Sequence, residues 1–341
     1  MSALPLISDA LREGCARHVT EALYARHGRE LERFGPRGRQ VCSQDIGRHL
    51  DCLQAVLQTG QPQAFVDYAV WLQNVLQGRG MASIYLDYTL EQMGSFLASG
   101  SPGALADEVT QVITTARDTL RAGGAVARYG TLRLAPLAQA PTYQNALING
   151  DRRGAAASLT DAMDEGQSLT SACVQIVQPA MYQIGNLWQD GSITVSQEHL
   201  ATAISESAMV AAYTRAEFLP LIGKTAMFAC VESNYHNLGL RMLSDAFETC
   251  GWDVVYLGAS VPSRDLLVEV DRRRPALLAL SVALPQHLVG ARATIDKLRA
   301  ELGQASPTIW IGGLAVQSEA QVRMVGADGW AADAAQALEQ L

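Results

Sequence analysis

The residues most suited to chemistry are grouped around a histidine in the second half of the chain. The sequence Asn-Tyr-His-Asn-Leu-Gly occupies residues 234–239, with His236 at its centre. The apolar run 224–231 before it predicts a buried strand, and apolar residues recur at helical spacing over 238–249. The motif therefore lies in a strand-to-helix connection, where open α/β sheets bind ligands. A neutral imidazole at that place can bind a metal ion.

Small and polar residues follow at the ends of later predicted strands. Residues 276–284 predict a central strand that ends near Ser281, and a strand at 308–311 ends in Gly312 and Gly313. The hydroxyl of Ser281 is able to hydrogen-bond a buried heterocycle, and the two glycines leave room for it. Gly239 likewise lets the backbone approach a bulky group as the helix begins.

A second motif, with a tryptophan, a glutamate and a histidine, precedes the first by about forty residues. Trp188 ends an amphipathic helix, residues 189–192 predict a tight turn, and Thr194 with Gln197 fits a capping box that starts a new helix. Glu198 and His199 then fall in the first turns. Because a helix N-terminus disfavours an imidazolium, this histidine tends to stay neutral and able to coordinate metal.

The pattern His-x-x-Gly, with a strand-end serine and a later Gly-Gly, resembles the base-off, His-on cobalamin-binding module of corrinoid proteins. The resemblance covers about the last third of the chain and implies that His236 is the lower axial ligand of cobalt. It also implies a channel for the displaced nucleotide tail, lined by Ser281, Gly312 and Gly313. The sequence departs from that family twice: Asn234 replaces the usual carboxylate, and Ala283 replaces the leucine of Ser-x-Leu.

The spacing Trp-x9-Glu-His resembles the signature of adenosylcobalamin-dependent photoreceptors, in which a small helical cap covers the upper face of the corrin. By that resemblance Trp188 packs against the adenosyl group and Glu198 hydrogen-bonds it. His199 then takes the upper position on cobalt once light has broken the cobalt–carbon bond.

Composition limits the classes of function. The chain has 341 residues, a formal net charge of −8 and 48% hydrophobic residues, with no Lys/Arg run longer than the three arginines at 272–274. These values argue against direct binding of nucleic acid. Its six cysteines form no Cys-x-x-Cys pair, and we find neither a signal peptide nor an apolar run of the roughly 20 residues that a membrane span requires. We therefore expect a reduced, cytoplasmic protein without a membrane segment.

Breaks in the pattern at residues 121–124 and 219–223 predict three units: 1–125, 126–219 and 220–341. The fold class expected is multidomain α and α/β. The middle unit resembles the four-helix-bundle cap that precedes cobalamin domains. The last unit predicts a doubly wound, parallel, Rossmann-like sheet. Its strands are expected at 224–231, 253–257, 276–284 and 308–313, with a short fifth near 329–330.

The first unit is helical in pattern and leaves two alternatives open: a dimerisation bundle or a site for a second ligand. Its place ahead of the other two units is similar to the arrangement in photocobilins, which hold biliverdin in a helical, globin-like domain. Such a pocket needs arginines for the propionates and aromatic residues or a histidine inside. The candidates are Arg26, Arg33, Arg37, Arg39, Arg48, His49, Tyr68 and Trp71. Covalent attachment would need a thiolate from Cys15, Cys42 or Cys52, for which the alternative is a buried structural role.

Together these features predict a sensory or regulatory binding protein rather than an enzyme. It would bind adenosylcobalamin and biliverdin as chromophores, form a homo-oligomer or a light-dependent assembly, and signal to an unknown partner or fused effector domain. One alternative is a corrinoid methyl carrier of a methyltransferase system, which uses His236 in the same way. Another is a scaffold or regulator that binds cobalamin only as an effector or has lost cobalamin binding altogether, an alternative that Asn234 and Ala283 keep open.

Overall fold

A computed structural model describes residues 7–124 and 132–341. The chain forms two compact units. One precedes residue 125 and also takes in Gln189–Gly191, and the other runs from residue 132 onward without those three residues. The division into three parts with boundaries near 125 and 219 stays a prediction.

The first unit is helical, as the sequence predicted. Its helices are α1 Asp9–Leu31, α2 Gly38–Thr59, α3 Pro62–Gln77, α4 Ser83–Gly100 and α5 Gly103–Arg121. Ser8 caps α1 through its side chain, and Gly60 ends α2 in the left-handed conformation that glycine adopts without strain. The globin-like form of this unit stays a prediction. Among the described residues, no helix has both the length and the apolar character that crossing a bilayer requires.

The second unit begins with helices. They are α6 Ala140–Asn149, α7 Arg152–Asp164, α8 Leu169–Ala172, α9 Gln178–Gln189 and α10 Val195–Tyr213. A π-helical segment, Cys173–Val177, joins α8 to α9. The capping box predicted for α10 is confirmed: the Gln197 backbone N–H donates to Thr194 Oγ1 at 3.3 Å, and Gln197 Oε1 accepts from the Thr194 N–H at 2.8 Å.

The remainder of the second unit is an α/β fold with a five-stranded parallel sheet, as predicted. The strands are β1 Thr225–Val231, β2 Asp253–Val261, β3 Leu277–Ser281, β4 Thr308–Gly312 and β5 Gly329–Ala331, in the order β2-β1-β3-β4-β5. The helices between and after them are α11 Leu238–Thr249, α12 Ser263–Arg273, α13 Pro285–Leu302, α14 Glu319–Val325 and α15 Ala334–Leu338. Strand β3 ends at Ser281 rather than 284, because Leu284 is already the residue that caps α13.

A shared apolar core joins the helices of the second unit to its sheet domain. Met242 of α11 is buried with Tyr143, Ile176 and Ala208 from the preceding helices, and Leu238 packs against the same cluster. This packing fixes α10 relative to the start of α11.

The first described segment of this unit is tied to its last helix. Arg133 forms ion pairs with Asp333 at 3.2 Å and with Glu339 at 3.0 Å. Leu134 packs against a cluster that contains Ala334. The segment thus lies beside α15.

Candidate functional site

His236 lies in the loop between β1 and α11, at the carboxyl edge of the sheet. The residue as a whole is exposed while its ring is partly buried, whereas Asn234, two residues earlier, is 0% exposed. The Oδ1 atom of Asn234 accepts from the His236 backbone N–H at 3.1 Å and lies 3.3 Å from Nδ1 of the ring. Its amide Nδ2 donates to the backbone carbonyl of Ser281 at 2.8 Å. Asn234 therefore links the imidazole to the end of β3.

The imidazole is electrostatically suited to bind a metal. Partial burial lowers the pKa of His236, and the negative charge of Glu198 opposes that shift. With the pKa below its usual value of 6.5 the ring is neutral at neutral pH, the form that coordinates metal. The effect of Glu198 also shows that the first turn of α10 lies close to the His236 loop.

Two serines beside this loop have strained backbones. Ser233 has φ 68° and Ser260 has φ 50°, values in the left-handed region that residues other than glycine rarely adopt. The Ser233 N–H donates to Ser260 Oγ at 3.0 Å, and the Ser260 N–H donates to the Asn234 carbonyl at 2.9 Å. Such strain persists only where surrounding contacts hold it, and it is concentrated at functional sites.

His287 is a residue that the sequence analysis missed. It is 6% exposed in the first turn of α13. Its Nδ1 accepts from the backbone N–H groups of Ala283 and Leu284 at 3.3 and 3.2 Å, and its ring contacts the backbone of Ser233. Burial and the neighbouring His236 lower its pKa to about 4. The sequence pattern that could have indicated it is a histidine three residues after Leu284, the residue that caps α13.

The second motif also lies at this end of the unit. His199 is 74% exposed and Glu198 28% exposed, and Nδ1 of the histidine is 2.7 Å from Oε2 of the glutamate. The other carboxylate oxygen accepts from Thr202 Oγ1 at 3.0 Å. Trp188 is partly buried against the core that also receives Leu238. The influence of Glu198 on the pKa of His236 indicates that this glutamate lies near the His236 loop.

The glycines predicted to line the site, Gly239, Gly312 and Gly313, have different surroundings. A Cβ on Gly239 would meet no atom within 4 Å, so this glycine leaves open space at the start of α11. Gly313 has φ +102°, and a Cβ there would lie 2.3 Å from the Val282 carbonyl. The backbone itself therefore requires Gly313, whereas Gly312 would place a Cβ 3.3 Å from the Ala331 carbonyl. Ser281 is 8% exposed.

The structure brings together only part of the predicted bilin pocket. Nδ1 of His49 lies 2.6 Å from the Tyr68 hydroxyl, and the Tyr68 and Trp71 rings are 5.9 Å apart. Arg39 instead lies over the ring of Tyr24, 4.2 Å from its centre. Arg39 and His49 are ten residues apart on α2, or about 15 Å along its axis. Arg37 is exposed at the start of that helix.

An aromatic cluster near Tyr24 was not predicted. The ring of His27 lies 5.0 Å from that of Tyr85 and 5.8 Å from that of Tyr88, and Arg26 is 4.6 Å above Tyr88. The backbone of α1 is kinked at His27. The rings share a cluster with Tyr24 that includes Cys42.

The three cysteines considered for covalent attachment are poor nucleophiles. Burial raises the pKa of Cys15 and of Cys52 to about 12 and raises that of Cys42 as well. Because the thiolate is the reactive form, these values favour the structural alternative.

The site can hold a metal complex that needs one protein ligand from below. A neutral imidazole stands at the sheet edge, a buried amide orients it, and Gly239 leaves space beside it. These residues fit a corrinoid, which itself supplies the four equatorial ligands of its cobalt.

Comparisons with known proteins agree with this fit. Residues 224–339 and 141–213 match two family models, each described as a B12 binding domain. The chain is 26% identical over 187 residues to the HTH-type transcriptional repressor CarH of Myxococcus xanthus, covering 54% of this chain and 61% of the repressor. It is also 26% identical over 199 residues to monomethylamine corrinoid protein 1 of Methanosarcina mazei, covering 57% of this chain and 91% of that protein.

A solved structure shows the same fold over more than half of the chain. The monomethylamine corrinoid protein of Methanosarcina barkeri superposes with a TM-score of 0.51 and 20% sequence identity, covering 58% of this chain and 96% of that one. The chain spans less than two thirds of the length of the repressor. The matches to residues 141–213 and 224–339 nevertheless identify the cofactor class. Residues 141–213 and 224–339 are therefore similar to B12 binding domains, and this similarity supports cobalamin binding.

Proposed function

We propose that this protein is a light sensor that binds adenosylcobalamin between the helices α6–α10 and the sheet domain. The observation that carries the proposal is that Glu198, in the first turn of α10, is close enough to His236 to influence its pKa, and that His199 is paired with this glutamate. His236 and His199 would then both be available to hold the metal of a corrinoid. Bound adenosylcobalamin supplies a cobalt–carbon bond that visible light breaks.

His236 is the lower ligand in this proposal. Its low pKa keeps the ring neutral, and Asn234 fixes the orientation of the ring from Nδ1, leaving Nε2 to face the cobalt. An amide oxygen accepts the ring N–H more weakly than a carboxylate would, so the imidazole keeps less negative character.

Glu198 and His199 act on the upper side. The carboxylate of Glu198 would accept hydrogen bonds from the hydroxyls of an adenosyl group, and Trp188 would cover its base. His199 would be the residue that holds the metal in the absence of the adenosyl group. Its Nδ1 already faces Glu198 at 2.7 Å, so that nitrogen donates and Nε2 keeps the lone pair.

The signal is a change in how the cap helices sit over the sheet domain. Met242 and Leu238 share a core with those helices, so a displacement of α10 has to repack that core. We expect the repacking to alter contacts between copies of the protein or with an output partner.

Biliverdin in the first unit is the second part of the proposal. Two clusters are available to it: His49 with Tyr68 and Trp71, and His27 with Tyr85 and Tyr88. Arg26 and Arg39 lie beside the second cluster, which makes it the better place for two propionates.

The test is an absorption spectrum of the protein prepared in the dark with adenosylcobalamin and biliverdin, repeated after green and then red light. We expect a base-off, His-on cobalamin spectrum that green light converts to a bis-histidine form, together with a far-red bilin band. A photoproduct identical to that of free adenosylcobalamin would contradict the assignment of His199. Absence of the far-red band would remove the bilin alone.

A corrinoid methyl carrier is the second candidate. The similarity to monomethylamine corrinoid protein 1 extends over 91% of that protein, which favours this function for the second unit. A carrier has to leave the upper face open to a methyl donor and acceptor. Tighter binding of methylcobalamin than of adenosylcobalamin, with an oligomeric state that light does not change, would support it.

A further inference from the structure

His287 connects two elements of the site through opposite sides of one ring. Its Nδ1 accepts from the N–H groups of Ala283 and Leu284 at the start of α13. Because Nδ1 accepts, the hydrogen of the neutral ring is on Nε2. The ring contacts the backbone of Ser233, whose carbonyl oxygen is the group that can accept this hydrogen.

Ser233 is the strained residue of the His236 loop. Its φ of 68° is unfavourable for a residue with a side chain. Its N–H donates to the hydroxyl of Ser260, which itself has φ 50°. The next residue is Asn234, which positions the imidazole. A change in the backbone conformation of Ser233 would therefore move Asn234, the residue that orients His236.

We infer that His287 is a positioning residue for the cobalt ligand: it donates to the Ser233 carbonyl, holds that serine in the left-handed conformation and thereby fixes where His236 stands at the sheet edge. The inference rests on the cobalamin binding proposed above. His287 would thus link the His236 loop to α13, just as Asn234 links that loop to β3.

A role limited to capping α13 makes a different prediction. Capping uses only the acceptor at Nδ1, and glutamine or glutamate at this third helical position supplies such an acceptor as well. Glutamine also carries an N–H that can reach Ser233, whereas glutamate presents a carboxylate oxygen to the carbonyl. H287Q and H287E thus form a matched pair that differs in the donor.

The experiment uses the full chain with its histidines labelled with ¹⁵N and loaded with cob(II)alamin. The electron paramagnetic resonance spectrum distinguishes the lower ligand, because ¹⁵N of a protein histidine splits the cobalt lines into doublets and ¹⁴N of the cofactor's own base splits them into triplets. Affinity for cob(II)alamin is measured in parallel. Wild type and H287Q are expected to show doublets.

H287E is expected to show triplets or a loss of affinity of at least about 10-fold, the size of effect that support of a metal-bound histidine usually has. Adding S233G should restore the doublets, since glycine adopts φ 68° without a donor. Doublets and unchanged affinity in H287E would overturn the inference, as would failure of S233G to rescue a folded H287E. Triplets in the wild type would instead contradict ligation by His236 and the proposed function with it.

Discussion

The Oδ1 atom of Asn234 serves two donors of His236, the backbone N–H at 3.1 Å and ring Nδ1 at 3.3 Å. One oxygen therefore fixes both the backbone and the ring of the candidate ligand. The other end of the amide donates to the backbone carbonyl of Ser281, so a single buried side chain connects the loop to β3.

Replacing Asn234 with alanine should weaken corrinoid binding about 10- to 100-fold, because the ring of His236 loses the acceptor that orients it. The measurement is a titration with adenosylcobalamin in the dark, followed by absorption. N145A is the control, because it removes the same amide group from an exposed position on α6. Equal losses in the two variants would contradict a specific role for Asn234.

His199→Ala should leave dark binding of adenosylcobalamin within about 2-fold of wild type, because His199 is 74% exposed and contacts Glu198 rather than the His236 loop. After green light the variant should give the spectrum of a mono-histidine form. Illumination of wild type and variant side by side checks this, with H18A as a control at a histidine of the first unit. A bis-histidine photoproduct in H199A would exclude this residue as the upper ligand.

Two glycine substitutions should have opposite effects. G239A meets no neighbouring atom, so the protein should unfold at the same temperature as wild type, but the added methyl should weaken corrinoid binding if the corrin approaches α11 closely. G313A places a methyl against the Val282 carbonyl at φ +102° and should cost about 2 kcal/mol or more. Thermal unfolding of the cobalamin-free protein separates the two. Normal binding by G239A would place the corrin elsewhere.

Buried His49 should make the first unit sensitive to acid. Burial lowers its pKa from 6.5 to about 4, so between these values the unfolded chain binds a proton that the folded chain does not. The free energy of unfolding therefore falls as pH falls through this range, by up to about 3 kcal/mol from this group, and the loss levels off below pH 4.

Comparison with H49Q isolates this contribution. Glutamine has no charge to gain, so wild type should lose about 2 to 3 kcal/mol more than H49Q between pH 7 and pH 4.5 in urea unfolding. Subtracting the pH-dependent change in the free energy of unfolding of H49Q from that of wild type cancels the contributions of all other titrating groups. Equal losses would show that His49 titrates normally in the folded protein.

Much of the fold could be predicted because it follows from local patterns. The parallel sheet was predictable from apolar runs such as Thr225–Val231, and the start of α10 from the capping box of Thr194 and Gln197. The place of His236 followed from the same pattern. Each of these features depends on residues that are close in sequence.

The parts that were missed depend on contacts between distant residues. The ring of His287 is 54 positions from the serine it contacts, and no periodicity relates them. The strain at Ser233 and Ser260 was equally hidden, because neither position is the glycine that usually marks a left-handed backbone. Gly313 was read as space for a ligand, whereas the crowding that explains it comes from Val282 of the neighbouring strand connection.

The ion pairs of Arg133 with Asp333 and Glu339 hold residues 132–134 against α15. The first and the last residues of the segment 132–341 therefore lie next to each other. A module with adjacent ends can be inserted in a longer chain as a cassette without pulling its flanking segments apart.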